Sequence, residues 1–406
     1  MEIVSYAMGE GAGYDEGYTG GYEDGYRAGE ESSTAYQEGY SAGEAAGYEE
    51  GYTAGSELVK QLITARGGCR NLFASSSITK AGVENLLKFS DTTGVEDFTS
   101  MFSGCNYLLA LPNLDYSSAK RISNMFSNTQ IEGNIDFSDT QLNEVTSAFN
   151  STNIQGVKLN LASSIRSLAS LFTSCSRLKN IELSCNNIVL NGTEYSGLYQ
   201  TFKNCKALET VTITGNLTTE NNAILTDTFN NAFTTSSSEH TFPYFDTSKV
   251  SKFIRTFAFT DSGAQTARDA IPLYDFSGVT QAGPNYCSLM FYKRLIKEIP
   301  NIQFPNMLDT RKEALFSGTG SSSESQNYYL FYGNTALRAV HIKNINYNFN
   351  ISVSTQFTRE ALVEIIGNLV DRTGTTAKTL TMGATNMAKL TADDIAVATD
   401  KNWTVA

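Results

Sequence analysis

Chemistry in this chain would have to start from very few residues. It contains two histidines, His240 and His341, and six cysteines. His240 lies in a Ser-rich stretch, and His341 stands at the polar position between Val340 and Ile342. Neither is flanked by a nucleophile motif, and no GxSxG, P-loop, HExxH or EF-hand pattern occurs. The cysteines (Cys69, Cys105, Cys175, Cys185, Cys205 and Cys287) form no CxxC pair, so a zinc site is not expected. The adjacent carboxylates Asp393 and Asp394 read as residues of a helix start rather than as an acid–base pair. No catalytic, cofactor-binding or metal-binding residue is therefore assigned, no cofactor is implied, and the chain is expected not to be an enzyme.

The elements that fill this chemical silence are repetitive. A motif of an apolar or small residue, then Phe, then a small residue three positions later returns along the chain. It reads Met101-Phe102-x-x-Cys105, Met125-Phe126-x-x-Thr129, Ala148-Phe149-x-x-Thr152 and Leu171-Phe172-x-x-Cys175. It continues at Phe202 with Cys205, Phe229 with Ala232, Phe257 with Thr260, and then at Met290-Phe291 and Leu330-Phe331. The Phe-to-Phe spacings are 24, 23, 23, 30, 27, 28, 34 and 40. A period in the twenties signals a solenoid, in which each unit buries its apolar face against its neighbours. Short apolar ladders follow the motifs, such as Leu178-x-x-Ile181-x-Leu183, Leu208-x-x-Val211-x-Ile213, Ile296-x-x-Ile299-x-x-Ile302 and Leu337-x-x-Val340-x-Ile342. Their terminal alternation is the period of a half-buried strand. Three of the cysteines occupy the small position of the motif and are expected to be buried, reduced thiols. Arg294 occupies the same position after Phe291 and breaks the rule, and the stretches Ser236–His240 and Ser317–Gln326 lengthen the later units.

These residues resemble the BspA-like leucine-rich repeat family in its variant with Met-Phe-x-x-Cys-x-x-Leu units, best over residues 101–114 and 171–183. The resemblance implies an α/β repeat fold: a leucine-rich-repeat solenoid with short parallel strands. It places the solenoid over residues 91–345, a linker and N-terminal cap over 58–90, and a small α/β C-terminal cap over 346–406. In that cap Thr358 and Glu360 open a helix whose apolar face is Leu362, Ile365, Ile366 and Leu369. A strand is expected over Lys378–Met382, Thr391 and Asp394 form a capping-box start for a last helix, and Trp403 ends the fold.

Residues 1–57 are a different material. Gly recurs every four residues from Gly9 to Gly29 and again from Gly39 to Gly55, with Tyr in the same rhythm, and both series slip together across Glu30–Glu38. On an α-helix a four-residue stripe drifts by about 40° per step, which favours right-handed coiling of partner helices. A Gly stripe permits close helix approach, and Tyr adds contact area with a polar tip. The candidate oligomerisation residues are Gly17, Tyr18, Gly21, Tyr22, Gly25, Tyr26, Gly39, Tyr40, Gly43, Gly47, Tyr48, Gly51 and Tyr52. A disordered acidic spacer or an extended form are the alternatives. The segment holds 13 acidic residues and one basic residue, Arg27, whereas the rest of the chain is balanced at 29 of each. The net charge of −12 thus belongs to this segment, which speaks against binding nucleic acid through phosphates.

Residues 358–406 are similar to the C-terminal caps of leucine-rich repeat proteins encoded by gut bacteriophages and prophages, in which GYxxGYxxG tracts often precede the repeats. The resemblance implies a virion structural protein of the fibre or appendage type. Its partners would be further copies of itself through residues 1–57, other virion proteins, and a glycan or protein of the host surface. A BspA-like bacterial surface adhesin and a filament subunit are the alternatives. The start of the chain carries no basic and apolar leader, and no long apolar run occurs, so the expectation is synthesis in the bacterial cytoplasm, no membrane insertion and residence in the virion. Tyr107, Tyr116, Tyr195, Tyr244, Tyr328 and Tyr329 are the loop aromatics available for stacking on sugars.

Overall fold

Turn chemistry dominates the structure, a computed structural model that describes residues 60, 61, 63, 67–87, 92–235, 242–281, 286, 287, 289–317 and 330–406. The Gly/Tyr segment, His240, Tyr328 and Tyr329 lie outside the described residues. The chain is α/β, with short parallel strands in small sheets and few helices. It divides into two compact units, one ending at Ile154 and one beginning at Gln155.

In the first unit the motif segments build a backbone ladder. Left-handed residues stand two before and two after each motif Phe: Ser100 and Gly104 about Phe102, Asn124 and Asn128 about Phe126, Ser147 and Ser151 about Phe149. Asn, Ser and Gly suit these positions because a short polar side chain or no Cβ tolerates positive φ. Alternate amides then face the following segment. Phe98, Ser100, Phe102 and Gly104 donate to the carbonyls of Arg121, Ser123, Met125 and Ser127 at 2.8–3.0 Å. The intervening amides of Met101, Ser103 and Cys105 bond back three residues. The same pattern begins earlier than the motif count suggests. Asn71 and Ser75 are left-handed about Phe73, and Cys69, Asn71, Phe73 and Ser75 donate to the carbonyls of Asp97, Thr99, Met101 and Ser103. This first rung lies inside residues 58–90, which the sequence assigns to a linker and cap. Behind the ladder Phe73, Phe102, Phe126 and Phe149 are buried and stack ring on ring at 5.6–5.9 Å.

The second unit repeats this construction with more strands. Phe172, Phe202, Phe229, Phe257 and Phe291 stack at 5.1–6.0 Å with ring planes within 20°. After strand β1 (Glu132–Leu142) of the first unit, strands β2 (Asn153–Leu161), β3 (Asn180–Leu190) and β4 (Thr210–Thr219) pair in parallel, with Ile181 opposite Val157 and Val211 and Leu183 opposite Leu159 and Ile213. The ladder residues of β3 are buried, whereas Val211 and Ile213 are only half-buried. Gly215 sits where the β3–β4 register shifts; with φ at 82°, a Cβ there would meet the Cys185 carbonyl oxygen at 1.8 Å. Strands β5 (Ala223–Thr226) and β6 (Val250–Ile254) pair in parallel, as do β7 (Arg268–Ala270), β8 (Ile296–Ile299) and β9 (Ala339–Val340).

The small position of the motif is buried in both units, and its polar members are satisfied. The Cys205 thiol donates to the Phe172 carbonyl at 2.9 Å, and the Thr129 hydroxyl to the Phe126 carbonyl at 2.9 Å. All six cysteines are free and buried, and burial pushes Cys69 up to about 12 and Cys185 up to about 11. Two positions depart from the pattern. Thr260 is exposed because Phe259 turns inward instead, and Thr260 bonds to Asn230 and Asn231. Arg294, expected at the small position, is fully buried; its Nη2 donates to the Ala232 carbonyl and its guanidinium stacks over Phe242 at 5.1 Å. Burial and the repulsion of Arg268 pull its pKa down to about 9, which leaves it charged at neutral pH.

The C-terminal region closes as its capping signals predict. Thr358 accepts from the Ala361 amide and starts the helix Arg359–Gly367, which buries Ala361, Leu362, Ile365 and Ile366. Thr391 and Asp394 form a reciprocal capping box on the helix Ala392–Asp400. Strands β10 (Phe349–Asn350), β11 (Lys378–Thr381) and β12 (Trp403–Val405) form a parallel sheet, and the Trp403 indole donates to the Val370 carbonyl at 2.8 Å.

Candidate ligand-binding surface

The left-handed residue two before each Phe points to a column of side chains that changes along the chain. At Asn71, Ser100, Asn124, Ser147 and Ser170 the side chains are short and locally suited to positive φ. In the next three segments of the second unit the equivalent residues are Gln200, Asp227 and Arg255, with φ of 51°, 54° and 48°. Asp227 suits this backbone as Asn does, whereas the longer side chains of Gln200 and Arg255, and of Leu289 two before Phe291, gain nothing from it.

The three residues are bonded to one another. Asp227 is 2 % exposed and accepts from five donors. The Arg255 fork reaches it through Nε at 2.7 Å and Nη2 at 3.0 Å. Lys203 Nζ, Gln200 Nε2 and Asn230 Nδ2 reach it at 3.1, 3.3 and 2.9 Å. Burial works against the carboxylate charge, but the hydrogen bonds and charges of Arg255, Asn230 and Lys203 outweigh it and hold Asp227 at about 2. Arg255 is thereby fixed in place with its side chain 39 % exposed.

Beside this network stands an aromatic corner. Tyr195 is 70 % exposed, and its ring lies 5.3 Å from that of Tyr199 at an interplanar angle of 69°. Tyr199 is half-buried; burial and then the Asp227 charge raise its pKa, so its phenol stays neutral across the physiological range. Of the other loop aromatics, Tyr107 and Tyr244 are exposed, the latter stacked on buried Tyr274. Tyr116 is a packing residue instead, wedged between Phe98 and Phe137 with its hydroxyl on the Pro112 carbonyl. The sequence marks Tyr195 through its loop position. It gives no sign of Arg255, Asp227 or Gln200, because their common column emerges only from the left-handed backbone.

The remaining candidates are structural. His341 lies between Glu364 at 2.9 Å and Glu298 at 3.3 Å, tying a C-terminal helix to strand β8. Asp394, besides capping its helix, takes both contacts of Arg359. Among the described residues no group of three or more His, Cys, Asp or Glu is placed to hold a metal ion. Among the same residues no helix is long and apolar enough to cross a membrane. No protein-family model, curated protein or solved structure matches the chain.

Proposed function

We propose that this chain is a bacteriophage virion protein of the fibre or appendage type. In this reading residues 69–345 form a BspA-like leucine-rich-repeat solenoid, residues 1–57 attach or oligomerise it, and its outer surface binds a host-surface glycan or protein without catalysis. The observation that carries the reading is the contrast between interior and exterior. Inside the second unit, the segments of Phe172, Phe202, Phe229 and Phe257 share one Phe stack and one form of amide ladder. Toward the exterior, the equivalent position changes from Ser170 to Gln200 and, beyond a buried Asp227, to a part-exposed Arg255, beside an exposed Tyr195. A scaffold with an invariant interior and a changing exterior is how repeat proteins make extended binding surfaces.

The test is direct. Antibody raised against the chain should label purified virions by immunogold electron microscopy, and added chain should compete with virion adsorption to host cells. Finding the chain on the bacterial surface and absent from virions would replace this reading with that of an adhesin.

A further inference from the structure

We propose that Tyr195, Tyr199 and Arg255 form a binding site for a neutral glycan. The proposal rests on the host-binding role above and specifies its chemistry. A sugar ring presents an apolar C–H face and a rim of hydroxyls, so a receptor for it needs a flat aromatic surface next to a fixed polar fork. Both are present. The two tyrosine rings meet at 69°, giving one exposed face and one adjoining wall, each with a phenol at its tip. The wall, Tyr199, immediately precedes Gln200, whose side-chain amide bonds to the Asp227 carboxylate that holds Arg255, which ties the corner to the fork.

The fork is pre-organised. Arg255 spends Nε and Nη2 on Asp227, and Asp227 is itself held by Gln200, Lys203 and Asn230. The Nη1 group makes no hydrogen bond among the described residues, and the side chain remains 39 % exposed. An Arg locked on one edge and open on the other can donate to a hydroxyl oxygen without losing rotamer freedom on binding. The charges argue for a neutral ligand. Glu194 and Asp227 offset Lys203 and Arg255, and the Arg255 charge is already neutralised by a bidentate carboxylate, so a free anion gains little here. The left-handed backbone at Gln200 and Arg255 fits the same account, since these two residues keep a conformation that Asn would adopt more readily.

The experiment uses the full chain and saturation-transfer NMR with the methyl glycosides of glucose, galactose, mannose and N-acetylglucosamine, and with sialyllactose as the anionic probe. At least one neutral glycoside should receive saturation. Tyr195→Ala, which removes an exposed ring and should leave the melting temperature in place, should weaken that binding by about tenfold or more. Arg255→Lys, which keeps the charge and loses the fork, should weaken it with the circular dichroism spectrum unchanged. No saturation of any neutral glycoside overturns the proposal, and so does binding that survives both substitutions or a preference for sialyllactose. A chain that labels virions but binds no neutral glycoside refutes this site alone. A chain that binds the glycoside through Tyr195 but is absent from virions refutes the virion reading alone.

Discussion

Replacing Phe229 by Ala should be the most damaging single truncation in the second unit. The ring is fully buried and stacks on Phe202 at 5.1 Å and on Phe257 at 5.7 Å, both within 7° of parallel. Phe242, Phe233 and Phe245 pack around it at 5.4–6.4 Å. Removing a buried Phe costs roughly 3–5 kcal/mol through lost transfer energy and the cavity left behind. Aromatic pairs add about 0.5–1.5 kcal/mol each beyond area. Two stacks are lost here, and rings on every side hinder collapse of the cavity, so the expected loss is in the upper part of that range, about 4–5 kcal/mol. Typical domains have only about 5–15 kcal/mol to lose.

Urea titration followed by far-ultraviolet circular dichroism measures the loss. The fluorescence of Trp403, the only tryptophan, reports separately on the C-terminal sheet. Amide exchange should quicken first at Phe202 and Phe229, whose N–H groups bond to the Thr228 and Thr256 carbonyls. Tyr107→Ala, at a side chain 63 % exposed, is the control and should stay within about 0.5 kcal/mol. A loss below about 1 kcal/mol at Phe229 with an unchanged urea slope would refute the reasoning that the Phe stack carries the core.

Three further outcomes are expected. Asp227 has its pKa lowered from the ordinary 3.8 to about 2, so its share of stability, of order 2 kcal/mol, is present above about pH 4 and is lost as pH falls from there toward 2; urea midpoints at pH 5 and pH 2.5 should differ less in Asp227→Asn than in the parent. His341 has its pKa raised, because hydrogen bonds to and the charges of Glu364 and Glu298 outweigh the opposing effect of burial; its contribution is therefore full below its unfolded value and fades as pH rises through the folded one, and an NMR titration should show the upward shift shrinking in Glu364→Gln. Substituting Gly43, Gly47 and Gly51 together by Leu should abolish self-association measured by light scattering while the remaining residues stay folded, whereas an unchanged assembly state would reduce residues 1–57 to a spacer.

The parts of the fold that were legible in the sequence are those fixed by local rules. Thr358, Thr391 and Asp394 announce helix starts through short-range hydrogen bonds, and the structure forms each of them. The Phe spacing exposes the core because one ring per segment must meet the next. The first rung at Phe73 was open to the same reading, since Leu72-Phe73-x-x-Ser76 satisfies the motif and Asn71 and Ser75 carry the turn chemistry. Thr260 was misplaced because Phe259, an extra aromatic, takes the interior beside it. Arg294 stood out in sequence, but only the structure supplies its company, the Ala232 carbonyl and the face of Phe242.

The candidate site was legible only in half, and the reason is physical. An exposed Tyr advertises itself by type, since a large ring in a loop is costly unless it packs or binds. A set such as Gln200, Asp227 and Arg255 advertises nothing by type, since each is of a kind common on protein surfaces, and the segment spacings are 27 and 28. What makes the column unusual is backbone conformation. Positive φ at the position two before Phe is dictated by the amide ladder, and Asn or Ser meets that demand with the least strain. Gln200 and Arg255, like Leu289 two before Phe291, therefore depart from the short polar residues that the turn favours, whereas Asp227 suits it as Asn would, and Gln200 and Arg255 are both bonded to Asp227. Packing alone does not require this, because the segments at Ser100, Asn124 and Ser147 build the same ladder without it. The residue choice at these positions follows from what the surface presents, and Arg255→Lys at constant charge separates that role from mere stability.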